Sequence, residues 1–288
     1  MERIVIDAEH CTACGACVAE CPVHVLTLAQ DRVTVVAGER CIVCGHCVAV
    51  CPQSVVSLAE LPGAGIELDQ ALVVDRRALA QLIRSRRSIR SYTDEPVSDE
   101  DLATLVDVAR YAPSAHNAQA WEFNVIRGRD KLAPIAAAVA GFLESVLKQL
   151  ADARAREALA GMLPPGTVDA LQEMTPTFRL IVEAHRQGVD VIFRGAPAAI
   201  IIHSPRSAHS GVEDAHYAAA NIMLVAHGMG LGTCLIGFLV GPARYNPAIA
   251  AAAGVPTRNE IGAALVVGHP RHAFRRIPPR REPPISWI

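Results

Sequence analysis

The sequence predicts an α+β chain in two parts: a small module of duplicated strand–helix–strand units, then a larger domain. Three observations carry this. A cysteine run occurs twice, as CTACGACVAECP at residues 11–22 and as CIVCGHCVAVCP at residues 41–52. The Pro- and Gly-containing stretch LPGAGIELDQ, residues 61–70, reads as a linker. Beyond it lie both helical periodicity, across residues 130–190, and an apolar strand around FNVI at 123–126.

Taken in order, short strands flank each cysteine loop: RIVI (3–6), VLTL (25–28), VTVV (33–36) and VVSL (55–58). The module ends near Glu60, giving a first domain of residues 1–60, a linker of 61–75 and a second domain of 76–288. With 288 residues, 51% of them apolar, the chain has ample material for a sizeable core. A formal net charge of −2 gives no reason to expect nucleic acid. The charge is uneven: residues 1–60 hold three Lys/Arg against seven Asp/Glu, whereas 271–288 hold five Arg against Glu282.

The opening MERIVIDAEH is charged and has no signal-type apolar region. Eight of the nine cysteines fall between Cys11 and Cys51. Clustered cysteines in a cytoplasmic chain bind metal more often than they form disulfides, so a cytoplasmic metalloprotein is expected. The apolar stretch 217–240 contains Asn221, His227 and four glycines. It reads as a buried helix followed by a glycine turn rather than a membrane span.

Residues 11–28 and 41–58 share ten identities in eighteen, an internal duplication, and each copy reads C-x2-C-x2-C-x3-C-P. Thiolates are the usual ligands of iron–sulfur clusters, and two-residue spacers let one short loop wrap several iron corners. Gly15 and Gly45 stand where the loop must turn tightly. A pair of zinc sites is the alternative, which four cysteines per loop with a trailing Cys-Pro disfavour. This segment closely resembles bacterial two-cluster ferredoxins. That resemblance implies one 4Fe–4S cluster on Cys11, Cys14, Cys17 and Cys51, and another on Cys41, Cys44, Cys47 and Cys21. His46 has no missing ligand to replace and reads as a solvated loop residue.

Three further stretches follow. RSRRSIRSY (84–92) is either a solvated helix end or a phosphate clamp, since Arg offers donors in a fixed fork. YAPSAHNAQAWEF (111–123) is either an ordinary helix-to-strand loop or a polar loop whose amides read the edge of a planar heterocycle. GMGLGTCLIGF (228–238) has glycines that allow close approach of a flat ligand, but it lacks the G-x-G-x-x-G context of a dinucleotide fold.

In this order the three resemble the FMN-dependent nitroreductase family. The matching residues are Arg86, Arg87, Ser88 and Arg90; then Pro113, Ser114, Asn117, Gln119 and Trp121; then Gly230, Leu231, Gly232 and Thr233. VVGHP (266–270) resembles the family's closing strand and turn. Ala120 and Ala115 depart from its pattern. The resemblance implies an α+β fold with a central mixed sheet and a homodimer with FMN at the interface. Arg86, Ser88 and Arg90 would hold the phosphate and ribityl chain, and Ser114 and Asn117 would reach the flavin from the other subunit. The backbone of Gly230–Thr233, or the turn after it, would lie near the reactive ring nitrogen. Arg276 and Arg280 are phosphate partners or part of a solvated tail.

The expected function is therefore an FMN-dependent oxidoreductase. In it, two 4Fe–4S clusters pass electrons to FMN, which reduces a nitroaromatic, quinone or enone. The alternative is an electron relay to a protein partner. A ferredoxin-like protein or NAD(P)H would be the donor. No catalytic triad is expected, because the flavin performs the chemistry. Cys234 reads as a small buried apolar residue or a flavin neighbour, and His203, His209 and His216 lack metal-site spacing. Residues 130–190 read as a pair of helices over the active site or dimer seam.

Overall fold

The computed structural model describes residues 3–61, 63 and 65–288; Pro62 and Ala64 of the expected linker lie outside the described residues. The chain divides into two units. One comprises Met1–Val74 with Ala115–Ala118, the other Asp75–Ser114 with Gln119–Ile288.

The first unit repeats one motif. Strand β1 (Ile4–Ile6), helix α1 (Ala16–Ala19) and strand β2 (Leu26–Ala29) are followed by β3 (Arg32–Val35), α2 (His46–Ala49) and β4 (Val56–Leu58). β1 pairs with β4 and β2 with β3, both antiparallel. The β2–β3 turn places Gln30 and Asp31 at φ 51° and 53°, the left-handed pair that a two-residue hairpin requires. The backbone repeats as closely as the sequence: Ala13, Gly15 and His24 are left-handed, and so are their counterparts Val43, Gly45 and Ser54. Ile4, Val25, Leu26, Val33, Val56 and Leu58 form a small core with buried cysteines.

The second unit is built on the sheet β5 (Glu122–Arg127), β6 (Ala198–Pro205), β7 (Gly232–Leu235) and β8 (Asn259–Gly268), in the order β5-β6-β8-β7. These ladders are antiparallel. The parallel pairing that makes the sheet mixed comes, among the described residues, from the bridge Ser88↔Thr233. The continuous apolar run of β6 is explained by burial on both faces. Ala198, Ile200 and Ile202 face one core while Ala199 and Ile201 face the other.

Helices α4 (Asp99–Ala109) and α9 (Gly211–Gly228) cover the first face, and Leu102, Leu105 and Ala109 supply the buried stripe of α4. Ser98 Oγ accepts from Asp101 N–H, and Asp99, Glu100 and Asp101 complement the helix N-terminus. α9 lies close to the sheet because its facing residues are small: a Cβ on Gly262 would stand 2.5 Å from the Ala215 Cβ. α9 and β7 correspond to the expected buried helix and the segment after its glycine turn. No helix among the described residues is long and apolar enough to cross a membrane.

The other face carries α5 (Arg129–Ala151), α8 (Thr175–Arg186), α10 (Gly237–Tyr245) and α11 (Pro247–Ala252). Between α5 and α8 lie α6 (Ala153–Met162) and α7 (Thr167–Glu173), so residues 130–190 form four helices rather than the expected pair. Asp152 caps a new helix by accepting from Ala155 N–H, and Pro164, Pro165 and the left-handed Gly166 break the chain again. Helix α3 (Arg76–Ser85), capped by Asp75, contains no buried residue.

Candidate functional site

Each cysteine loop begins as an irregular turn and ends in a single helical turn started by a left-handed glycine, Gly15 or Gly45. Cys17 and Cys47 thereby sit on α1 and α2, pointing into the small core. One cavity is lined by Cys11, Cys14, Cys17 and Cys51 together with Ile6, Val33 and Val56. Another is lined by Cys21, Cys41, Cys44 and Cys47 with Ile4, Leu26 and Leu58. In each, three thiols come from one loop and the fourth from the other. The backbone N–H groups of Val25 and Val43 donate to Cys21 Sγ and Cys41 Sγ, each at 3.4 Å.

Burial pushes the Cys17 thiol up, and pushes Cys47 up to about 11, with neighbouring cysteines adding to both. Four thiolates in such a space need a cationic partner. The four thiols in each cavity are the ligand type that iron–sulfur clusters take.

The arginine stretch starts where α3 stops. Arg86 leaves the helix in an extended conformation, and Ile89 N–H donates to Thr233 O at 2.9 Å. The arginine and glycine motifs therefore pack on each other. Gly232 has a steric reason for being glycine: a Cβ there would lie 2.7–2.9 Å from three atoms of the Ile89 side chain. Gly230, at φ 79°, makes the turn out of α9. Leu231 and Thr233 are buried.

Around this junction positive charge collects without a counterion. Arg86 Nη1 and Arg87 Nε are buried and have no hydrogen-bond partner. Burial lowers the Arg87 pKa, and the charges of Arg280 and then Arg86 lower it further, so Arg280 of the tail stands within electrostatic reach of Arg87. No carboxylate pairs with these three among the described residues. His227 at the end of α9 contacts Ser85 Oγ at 2.8 Å; the hydroxyl donates to Leu82 O, so the ring Nε2–H donates to Ser85. Burial holds His227 below its usual pKa, and Arg86 and Arg87 add to that, keeping it neutral. Buried donors left open and like charges gathered together are what a phosphate group fits. Ser88 is half-buried beside them, Arg90 is exposed, and Arg276 is exposed in the tail.

The loop after α4 is conformationally unusual. His116, Asn117 and Gln119 all lie at φ 47–53°, a region costly for residues other than glycine. Ser114 Oγ accepts from Gln119 N–H at 3.1 Å, which closes the loop after Pro113. Asn117 groups with the first unit, where its Nδ2 donates to the carbonyls of Ile42 (3.2 Å) and Val43 (2.9 Å).

Sequence reasoning missed a cavity of about 620 Å³ within the second unit, bounded by α5, α6, α7, α8, α10 and the turn Leu235–Gly237. No motif announces it, because its walls are ordinary apolar helix faces. Cys234, buried, lines it. His203 is structural: Asn259 Nδ2 donates to its Nδ1 at 2.8 Å, and its Nε2–H donates to Asn124 Oδ1 at 3.2 Å.

Comparison with known proteins agrees with this layout. Residues 83–269 match the model of the Nitroreductase family, and residues 3–52 match that of the 4Fe-4S dicluster domain. A 4-nitrobenzoate reductase of Nocardioides sp. is 26% identical over 209 residues, covering 67% of this chain and 80% of that enzyme. A protein of Archaeoglobus fulgidus named for NADH dehydrogenase and NAD(P)H nitroreductase is 48% identical over 52 residues. That match spans 18% of this chain and only 30% of the archaeal protein's length. Among solved structures, an FMN-bound nitroreductase of Bacteroides fragilis superposes with a TM-score of 0.55 at 17% identity, over 75% of this chain and all of that one. An FMN-bound nitroreductase of Desulfitobacterium hafniense gives 0.53 at 21% identity, over 73% and 97%. At these identities the structures establish the fold. The family model spans well over half of the sequence, and the chain belongs to the nitroreductase family, with a 4Fe–4S dicluster domain at its N-terminal end.

Proposed function

We propose that the chain is an FMN-dependent oxidoreductase in which two 4Fe–4S clusters deliver electrons singly to FMN, and FMN reduces an organic acceptor of the nitroaromatic, quinone or enone class. The observation that carries this reading is the uncompensated guanidinium group of Arg86, Arg87 and Arg280, with buried donors open for an anion. Arg86 and Arg87 would grip the phosphate from the end of α3, with Ser88 adding a hydroxyl. Arg280 would close over it from the tail. The Ser85–His227 pair fixes the end of α9 against that site and keeps a neutral ring there. Cys11, Cys14, Cys17 and Cys51 would hold one cluster, and Cys21, Cys41, Cys44 and Cys47 the other.

A homodimer accords with two observations. α3 leaves Leu79 and Ile83 exposed, and the tail exposes Phe274, Ile285 and Trp287. The free cysteines suit a cytoplasmic setting. NAD(P)H as donor accords with the names of several relatives. The largely apolar cavity at the Leu235–Gly237 turn favours a small-molecule acceptor over a protein relay.

Anaerobically prepared protein, assayed for iron, acid-labile sulfide and flavin, tests the proposal. About eight irons, eight sulfides and one FMN per chain are expected, four iron and four sulfide for each cluster. Stoichiometric zinc without sulfide, or a chain that will not take up FMN, contradicts it.

A further inference from the structure

The cavity beside the Leu235–Gly237 turn has a composition that goes beyond the need for an apolar pocket. Its volume, about 620 Å³, suits a small organic molecule. Its walls are mostly apolar, with Ser145, Gln149, Thr167 and Tyr245 as neutral polar residues; Arg90 and Arg194 also line it, and no carboxylate residue does. Neither arginine makes a hydrogen bond or ion pair among the described residues. Arg194 is half-buried, and such a cation in an apolar setting is costly unless an anion meets it.

Arg194 is held there deliberately. Its backbone is left-handed, at φ 60°, a conformation that a non-glycine residue adopts only when its surroundings enforce it. The enforcing group is Asp190. Its carboxylate accepts from the backbone N–H groups of Ile192 (3.0 Å), Phe193 (2.9 Å) and Gly195 (3.1 Å), fixing the turn on both sides of Arg194. The Asp190 carboxylate is engaged by backbone and does not neutralise the guanidinium.

We propose that this cavity binds an organic molecule with an apolar body and a single carboxylate, with Arg194 as the carboxylate anchor. Arg forks match carboxylates two bonds at a time, and the apolar walls take the rest of the molecule. None of Arg86, Arg87 and Arg280 lines it. If the function proposed above holds, the bound molecule is the electron acceptor, so the preferred acceptors are aromatic or unsaturated carboxylates; that last step rests on that reading.

Equilibrium dialysis of the full-length, FMN-loaded protein with radiolabelled benzoate and with benzamide tests the site, because neither probe is reduced. Benzoate should bind once per chain, at least tenfold more tightly than benzamide. Arg194→Gln should abolish that preference, while Arg194→Lys retains part of it and both variants keep their FMN. Equal binding of the two probes, no benzoate binding, or loss of FMN in Arg194→Gln would overturn the proposal. Turnover then separates the two readings. A KM at least tenfold lower for 4-nitrobenzoate than for 4-nitrobenzamide, with similar kcat, supports an acceptor site. Arg194-dependent benzoate binding without turnover of either nitro compound supports the carboxylate site and contradicts the proposed enzyme function.

Discussion

Replacing Gly232 with alanine should destabilise the second unit without any ligand being present. The added Cβ would meet Ile89 Cγ1 at 2.7 Å, its Cβ at 2.8 Å and its Cγ2 at 2.9 Å. Ile89 is 8% exposed, and its N–H is tied to Thr233 O, so it cannot swing away freely. Forcing a methyl group into a packed site costs about 1–3 kcal/mol. The loss of glycine's freedom in the unfolded chain returns about 0.4–1 kcal/mol. The net loss is then about 1–2 kcal/mol, or roughly 2–8 °C in Tm for a domain of this size. Thermal unfolding of FMN-free protein reads it. Combining Gly232→Ala with Ile89→Ala, which removes two of the three clashing atoms, should cost less than the sum of the two single changes, by about 0.5 kcal/mol or more. If Gly232→Ala leaves the FMN-free protein within about 0.5 kcal/mol of wild type while weakening FMN binding, the glycine serves the ligand and the packing argument is wrong.

Two other outcomes are expected. Arg86→Ala removes a buried charged donor from the anion site; at about 1.5–3 kcal/mol for a hydrogen bond to a charged group, FMN affinity should fall roughly 10–150-fold in flavin fluorescence titrations while iron content is unchanged. Unchanged affinity would remove Arg86 from the site. Stability should also depend on pH. His203 and His227 are both held below the usual 6.5, chiefly by burial. On acidification the unfolded chain therefore takes up protons first, so stability is full above about pH 6.5 and declines as the pH falls below it. The depressed carboxylate of Glu122 adds only below about pH 4.5. Urea midpoints at pH 7.5 and 5.5 check this; equal midpoints would contradict it.

The first unit was legible almost residue by residue. A duplicated loop with fixed cysteine spacing leaves little freedom, and the four expected strands fall within a residue of those observed. The arginine and glycine motifs were legible as a pair, but not their reason for meeting. Gly232 reads in sequence as room for a flat ligand, yet in three dimensions it makes room for Ile89. The Arg87–Arg280 proximity joins positions far apart in the chain, which no local pattern encodes. The helices of 130–190 were miscounted because alanine-rich periodicity runs across Asp152, and a cap inside such a run is one residue among many. Arg194 was invisible. Its significance lies in a left-handed turn held by Asp190, and nothing in the stretch DVIFRG marks that turn as different from an ordinary loop.

The central claim is that the cysteine-rich unit feeds electrons to the flavin site. Cys14 is the most exposed of its set and is not part of the buried core, so Cys14→Ala should damage one cluster with little harm to folding. The direct measurement is rapid-mixing absorbance at the flavin band after the FMN-loaded, cluster-replete protein meets a one-electron reductant. The account predicts that Cys14→Ala, with FMN still bound and loss of that cluster verified by iron and sulfide analysis, reduces its flavin at least tenfold more slowly than wild type. Flavin reduction at the wild-type rate in that variant would contradict it.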